Sequence, residues 1–95
     1  MKNNIFNEYA GKVLDLFQIT EKELFAKSRK TRHVDARYFL YYLCYHRPMK
    51  IHYIQEYMKD NGYDVGHSSI IHGISRVEKK ITEDADIKNI IKDIA

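Results

Sequence analysis

A chain of 95 residues is one domain long, positions 1–95, with room for one core, and its 44% hydrophobic and 31% charged fractions exclude a disordered or fibrous protein. No apolar run comes near the roughly 18 residues of a membrane span, and no signal-like stretch follows Met1-Lys2-Asn3-Asn4, so a cytoplasmic protein with no membrane partner is expected. The net charge of +3 is too small to define a partner, but it is unevenly spread: Lys27, Arg29, Lys30, Arg32 and Arg37 stand against the single acid Asp35.

The first helix is predicted over about Asn4 to Phe17, where Ile5, Phe6, Tyr9, Ala10, Val13, Leu14 and Phe17 recur at three- and four-residue spacing; Gly11 weakens it slightly. Thr20-Glu21-Lys22-Glu23 has the capping-box pattern, and a short helix to about Ala26 should follow. The basic stretch Lys27-Ser28-Arg29-Lys30-Thr31-Arg32-His33 is expected to form a loop.

Val34 to about His46 is apolar nearly all round, which predicts a central helix buried on more than one side. Ala36, Phe39, Leu40 and Leu43 fall on one stripe and Tyr38, Tyr41, Tyr42 and Tyr45 on the opposite one. The tyrosines are expected to pack with their hydroxyls reaching water, or else to touch a DNA backbone or a protein partner. Cys44, alone and within the apolar run, is expected to pack as a small hydrophobe.

Pro48 ends that element, and Ile51, Ile54 and Met58 give a fourth helix an apolar edge from about Met49 to Asp60. Asn61-Gly62 should close it with a left-handed residue. A fifth helix opening near His67 turns Ile70, Ile74, Val77 and Ile81 inward, and a last one from about Asp84 carries Ile87, Ile90, Ile91 and Ile94. No segment shows the period-two alternation of a strand. The expectation is an all-α fold of about six helices, with a helix-turn-helix over about residues 49–81.

The fifth helix leaves Ser68, His72, Ser75, Arg76 and Lys79 facing outward, with His67 at its free end. Hydroxyls and imidazoles can hydrogen-bond base edges in a major groove, while Arg76 or Lys79 can neutralise a phosphate. The helix N-terminus adds unpaired N–H groups that favour anions. A basic loop nearby suits the narrow, strongly negative minor groove, so the pair together points to duplex DNA.

Leu24 to Leu43, LFAKSRKTRHVDARYFLYYL, and His67 to Val77, HSSIIHGISRV, resemble the C-terminal DNA-binding domain of the bacterial replication initiator DnaA. That family has a basic loop, an Arg opening a long helix, and a helix-turn-helix with a signature close to Gly-Arg-Asp-His-Thr-Thr-Val-x-His. His67, Ser68, Ser69, Ile70 and His72 match its second half, with serines in place of threonines, and the similarity covers about residues 5 to 82. The resemblance implies a DnaA-type or Trp repressor-like all-α fold. It also implies Arg29 in the minor groove, Arg37 on a phosphate at the start of the central helix, and His67 and Ser68 on bases. Ser69 would meet a base or phosphate, and Lys27, Lys30 and Arg32 would be supporting phosphate contacts.

Two departures are visible: Val65-Gly66 stands where the family has Arg-Asp, with Asp64 two residues further back, and the turn before His67 is longer by about four residues. The phosphate loop of the family's ATPase domain has no counterpart, so no nucleotide partner is expected. His67 and His72 are five apart, which is not the three or four that puts two ligands on one helical face, and no paired Cys spacing exists. No metal, cofactor or catalytic constellation is expected. The expected function is site-specific binding of duplex DNA in replication initiation or transcriptional regulation, of a phage, plasmid or other mobile element, with a protein partner in either process. The alternatives are a protein-interaction module that keeps the fold without DNA binding, and a Trp repressor-like homodimer.

Overall fold

Six helices make up most of the computed structural model, which describes residues 2–94: α1 (Lys2–Phe17), α2 (Glu21–Leu24), α3 (Thr31–Tyr45), α4 (Ile51–Asp60), α5 (His67–Glu83) and α6 (Ala85–Ile94). The all-α expectation with six helices holds. α1 turns Phe6, Tyr9, Ala10 and Val13 onto α3, at the spacing its sequence predicts. It stops because Gln18 enters the left-handed region at φ 53°, which lets the Ile19 N–H reach the Leu14 carbonyl at 3.2 Å. None of the helices in the described residues is long and apolar enough to cross a membrane.

The capping box ahead of α2 is present: the Thr20 hydroxyl accepts the Glu23 N–H at 3.2 Å, and the Glu23 carboxylate accepts the Thr20 N–H at 2.9 Å. The helix lasts one turn, to the buried Leu24, instead of reaching Ala26. Beyond it the carbonyls turn toward the Arg37 guanidinium and leave the helical direction.

α3 is the centre of the molecule, packed on α1 and on α5, with Ala36, Leu40 and Cys44 fully buried. Burial pushes the Cys44 thiol up to about 12, which keeps it protonated and unreactive. The helix starts at Thr31, earlier than expected, because the Val34 N–H bonds the Lys30 carbonyl at 3.0 Å and His33 is itself a core residue. The four tyrosines lie on one side of α3, as their three- and four-residue spacing requires, but they are not equally covered. Tyr41 is buried, Tyr42 lies 4.3 Å from the His46 ring, Tyr38 is half-covered, and Tyr45 is exposed.

Gly73 of α5 packs directly against tyrosine rings of α3. A Cβ there would sit 2.5 Å from Tyr38 Cδ1 and 3.0 Å from Tyr41 Cδ2, so the two rings occupy the space a side chain needs. Gly73→Ala should therefore destabilise the fold by about 1 to 2 kcal/mol, overpacking outweighing the gain of about 1 kcal/mol in helix propensity. Urea unfolding checks this: the midpoint should fall at unchanged slope, and an equal or higher midpoint would refute the close approach.

The α4–α5 connection is tightly specified. Gly62, at φ 89°, donates to the Lys59 carbonyl at 2.9 Å and Tyr63 to that of Met58 at 2.9 Å, a Schellman closure. Val65 is buried, and its carbonyl accepts the Gln55 side-chain amide at 2.9 Å. α4 begins at Ile51, not Met49, whose buried side chain and N–H to Cys44 at 2.9 Å belong to the end of α3. α6 covers α5 through Ile91, and Lys12 of α1 donates to the Ile94 carbonyl at 2.9 Å.

Candidate nucleic-acid interface

The basic segment is held from within. Ser28 Oγ accepts the Lys30 N–H at 3.2 Å and lies 2.8 Å from His33 Nδ1, while His33 Nε2 is 3.3 Å from the Glu23 carboxylate. Both ring nitrogens of His33 are thus engaged, Nε2–H with the Glu23 carboxylate and Nδ1 with the Ser28 hydroxyl. The Thr20 amide and hydroxyl hold the Glu23 carboxyl below its ordinary range, so it stays ionised as that acceptor. His33 thus belongs to the helix and core, and the loop proper is residues 25–30.

Arg37 requires a correction. Expected to hold a phosphate, it is 4% exposed and its guanidinium is used up inside the protein. Nη1 donates to the carbonyls of Leu24 at 3.1 Å and Ala26 at 3.0 Å, and Nη2 donates to that of Ser28. The Tyr63 ring lies over it at 4.8 Å, so one buried cation ties the basic loop to α3 and to the α4–α5 turn. Among the described residues no carboxylate pairs with it, so the carbonyl dipoles and the ring face supply its nearest counter-charge.

The other candidates are exposed: Lys27, Arg29, Lys30 and Arg32 beside the loop, and His67, Ser68, Ser69, His72 and Arg76 on α5. Two clefts bring most of them onto one face. The first, of about 340 Å³, lies between the loop residues Lys27, Ser28 and Arg29, the α3 residue Tyr38, and the turn-to-helix residues Asp64, Gly66 and Ser69. The second, of about 300 Å³, is walled by Arg29 and Thr31 on one side and by His72, Arg76 and Lys80 on the other. Arg29 lines both. Lys30 and Arg32 line neither, and His67 and Ser68 stand outward on the first turn of α5.

The face is cationic and open. Among the described residues no carboxylate pairs with Lys27, Arg29, Lys30, Arg32 or Arg76. Lys80 is engaged by Asp35 of α3 at 3.4 Å, and Glu78 of α5 lies 3.6 Å from His46. Gly66 caps α5 without a side chain, at φ −86° and ψ 162°, leaving first-turn N–H groups uncovered beside the first cleft.

Sequence reasoning offered Tyr38 as a possible DNA or partner contact without placing it between loop and helix, and did not anticipate Tyr63. Tyr38 lines both clefts and meets the His72 ring edge-on at 5.8 Å, so it bridges loop and helix. Tyr63 follows the turn glycine, and nothing in its local sequence marks a partner 26 residues earlier. Asp64 shares the first cleft with Lys27 and Arg29 as its single acid. No protein-family model matches the chain, and no curated protein or solved structure matches it either.

Proposed function

We propose that the chain binds duplex DNA at a specific site, with the outer face of α5 in the major groove and the basic loop in the adjoining minor groove. The observation that carries this reading is the placement of Arg29 on both clefts, shared with Ser69 in one and with His72 and Arg76 in the other. A cationic loop and a polar helix face that meet across a cleft match a phosphate backbone running between two grooves. The uncapped start of α5 supports it, since exposed N–H groups and the positive dipole end both favour phosphate.

The resemblance to the DnaA domain adds replication initiation or transcriptional control, in a phage, plasmid or other mobile element, as the setting. It rests on the basic loop and on His67, Ser68, Ser69, Ile70 and His72. Arg37 is removed from the contact set and becomes the residue that presents the loop. Lys27, Arg29 and Arg76 are left as the principal phosphate and minor-groove cations.

Selection of bound duplexes from a random library tests the reading. A defined site should be enriched. On that site, Arg29→Ala should weaken binding about tenfold and relax the preference for A·T pairs at the minor-groove positions, whereas Ser68→Ala should act at one or two major-groove pairs. A library from which no duplex is retained sinks the proposal.

A further inference from the structure

The large apolar side chains of α5 turn inward with one exception. Ile70, Ile74 and Val77 are buried and Ile81 is half-buried, but Ile71 is 52% exposed. It stands four residues after His67, three after Ser68 and four before Ser75, and so lies with them on the outward side of the helix. Isoleucine is a poorer helix former than the lysine, glutamate or alanine an idle surface position tolerates, and a side chain half in water recovers little of that cost by burial.

We infer that Ile71 reads thymine, packing its side chain against the C5-methyl group in the major groove. The inference rests on the reading of α5 as the major-groove helix. The thymine methyl is the one apolar group on the major-groove edge of a base pair, and the neighbouring serines and histidines recognise donors and acceptors only. Ile71 is the member of this face able to tell thymine from a base lacking that methyl. Its β-branch leaves it few rotamers to lose on contact. Ile71 borders a shallow depression with Tyr45, Ile51 and Ser75, so it is supported from one side while its outer surface stays free.

The experiment uses the selected duplex with each thymine replaced in turn by deoxyuridine, which removes the methyl and keeps the hydrogen-bonding edge. Affinity is measured by fluorescence anisotropy for the wild-type chain, Ile71→Ser and Ile71→Val. The wild type should lose about fourfold at one or two positions, the factor for one buried methyl group. Ile71→Ser should bind the thymine duplex several-fold more weakly and be indifferent to uracil there, while Ile71→Val keeps most of the discrimination. Equal wild-type binding of thymine and uracil at every position overturns the inference and leaves the DNA-binding reading intact. An unchanged thymine-to-uracil ratio in Ile71→Ser does the same. A chain that retains no duplex overturns both.

Discussion

Arg37→Ala should lower the folding free energy by about 3 to 5 kcal/mol, a large share of what a domain of this size has. Three carbonyls, those of Leu24, Ala26 and Ser28, lose a charged donor, and hydrogen bonds to charged groups contribute about 1.5 to 3 kcal/mol each before the desolvation of the cation is subtracted. The contact with the Tyr63 face is lost as well. Lysine should not rescue the fold, because a single ammonium cannot address carbonyls spread over five residues as the planar fork does. Urea denaturation of Arg37→Ala and Arg37→Lys reads the loss, and limited trypsin digestion should show cleavage at Lys27 and Arg29 appearing first. A midpoint equal to the wild type's would mean that the guanidinium holds nothing together. Because Arg37 contacts no phosphate in this account, its replacement should not reduce the salt slope of DNA binding once only folded protein is counted.

Much of the fold was legible because its determinants are local. The capping box at Thr20, the closure at Gly62, and the opening of α5 at His67 each depend on residues within one or two turns, and all three are present. Long-range partners were not legible. Arg37 reads from the sequence as one more cation in a basic run, and only folding brings three backbone carbonyls and Tyr63 around it. His33 likewise reads as the end of a loop until Glu23 and Ser28 converge on its ring. Both misplacements have one physical source: the folded chain turns side chains of a charged segment inward where backbone oxygens are waiting. The tyrosine stripe was legible as a stripe but its covering was not, since α5 packs over Tyr38 and Tyr41 at Gly73 and leaves Tyr45 exposed.

For the candidate interface, composition and spacing on α5 sufficed to identify Ser68, His72 and Arg76 as outward. Nothing in the sequence put Arg29 between that helix and the loop. That juxtaposition depends on how α3 carries both, with Tyr38 filling the angle between them and Gly73 letting the helices approach.

The central claim is that this cationic face meets the DNA backbone, and its second large consequence is electrostatic. Among the described residues Lys27, Arg29 and Arg76 carry no carboxylate partner, and Lys79 with either Lys30 or Arg32 brings the set to about five groups able to displace counterions from phosphates. Lys80, held by Asp35, is not counted. Five such contacts give a slope of about −4.5 in log affinity against log salt, or a loss on the order of 10² to 10³ between 50 and 200 mM. The most direct measurement is therefore an anisotropy titration of the selected duplex across that range, with the wild-type chain and with Arg29→Ala. The account predicts that steep decline for the wild type and a slope shallower by about one for the variant. A flat response to salt, or identical slopes for the two proteins, would contradict it.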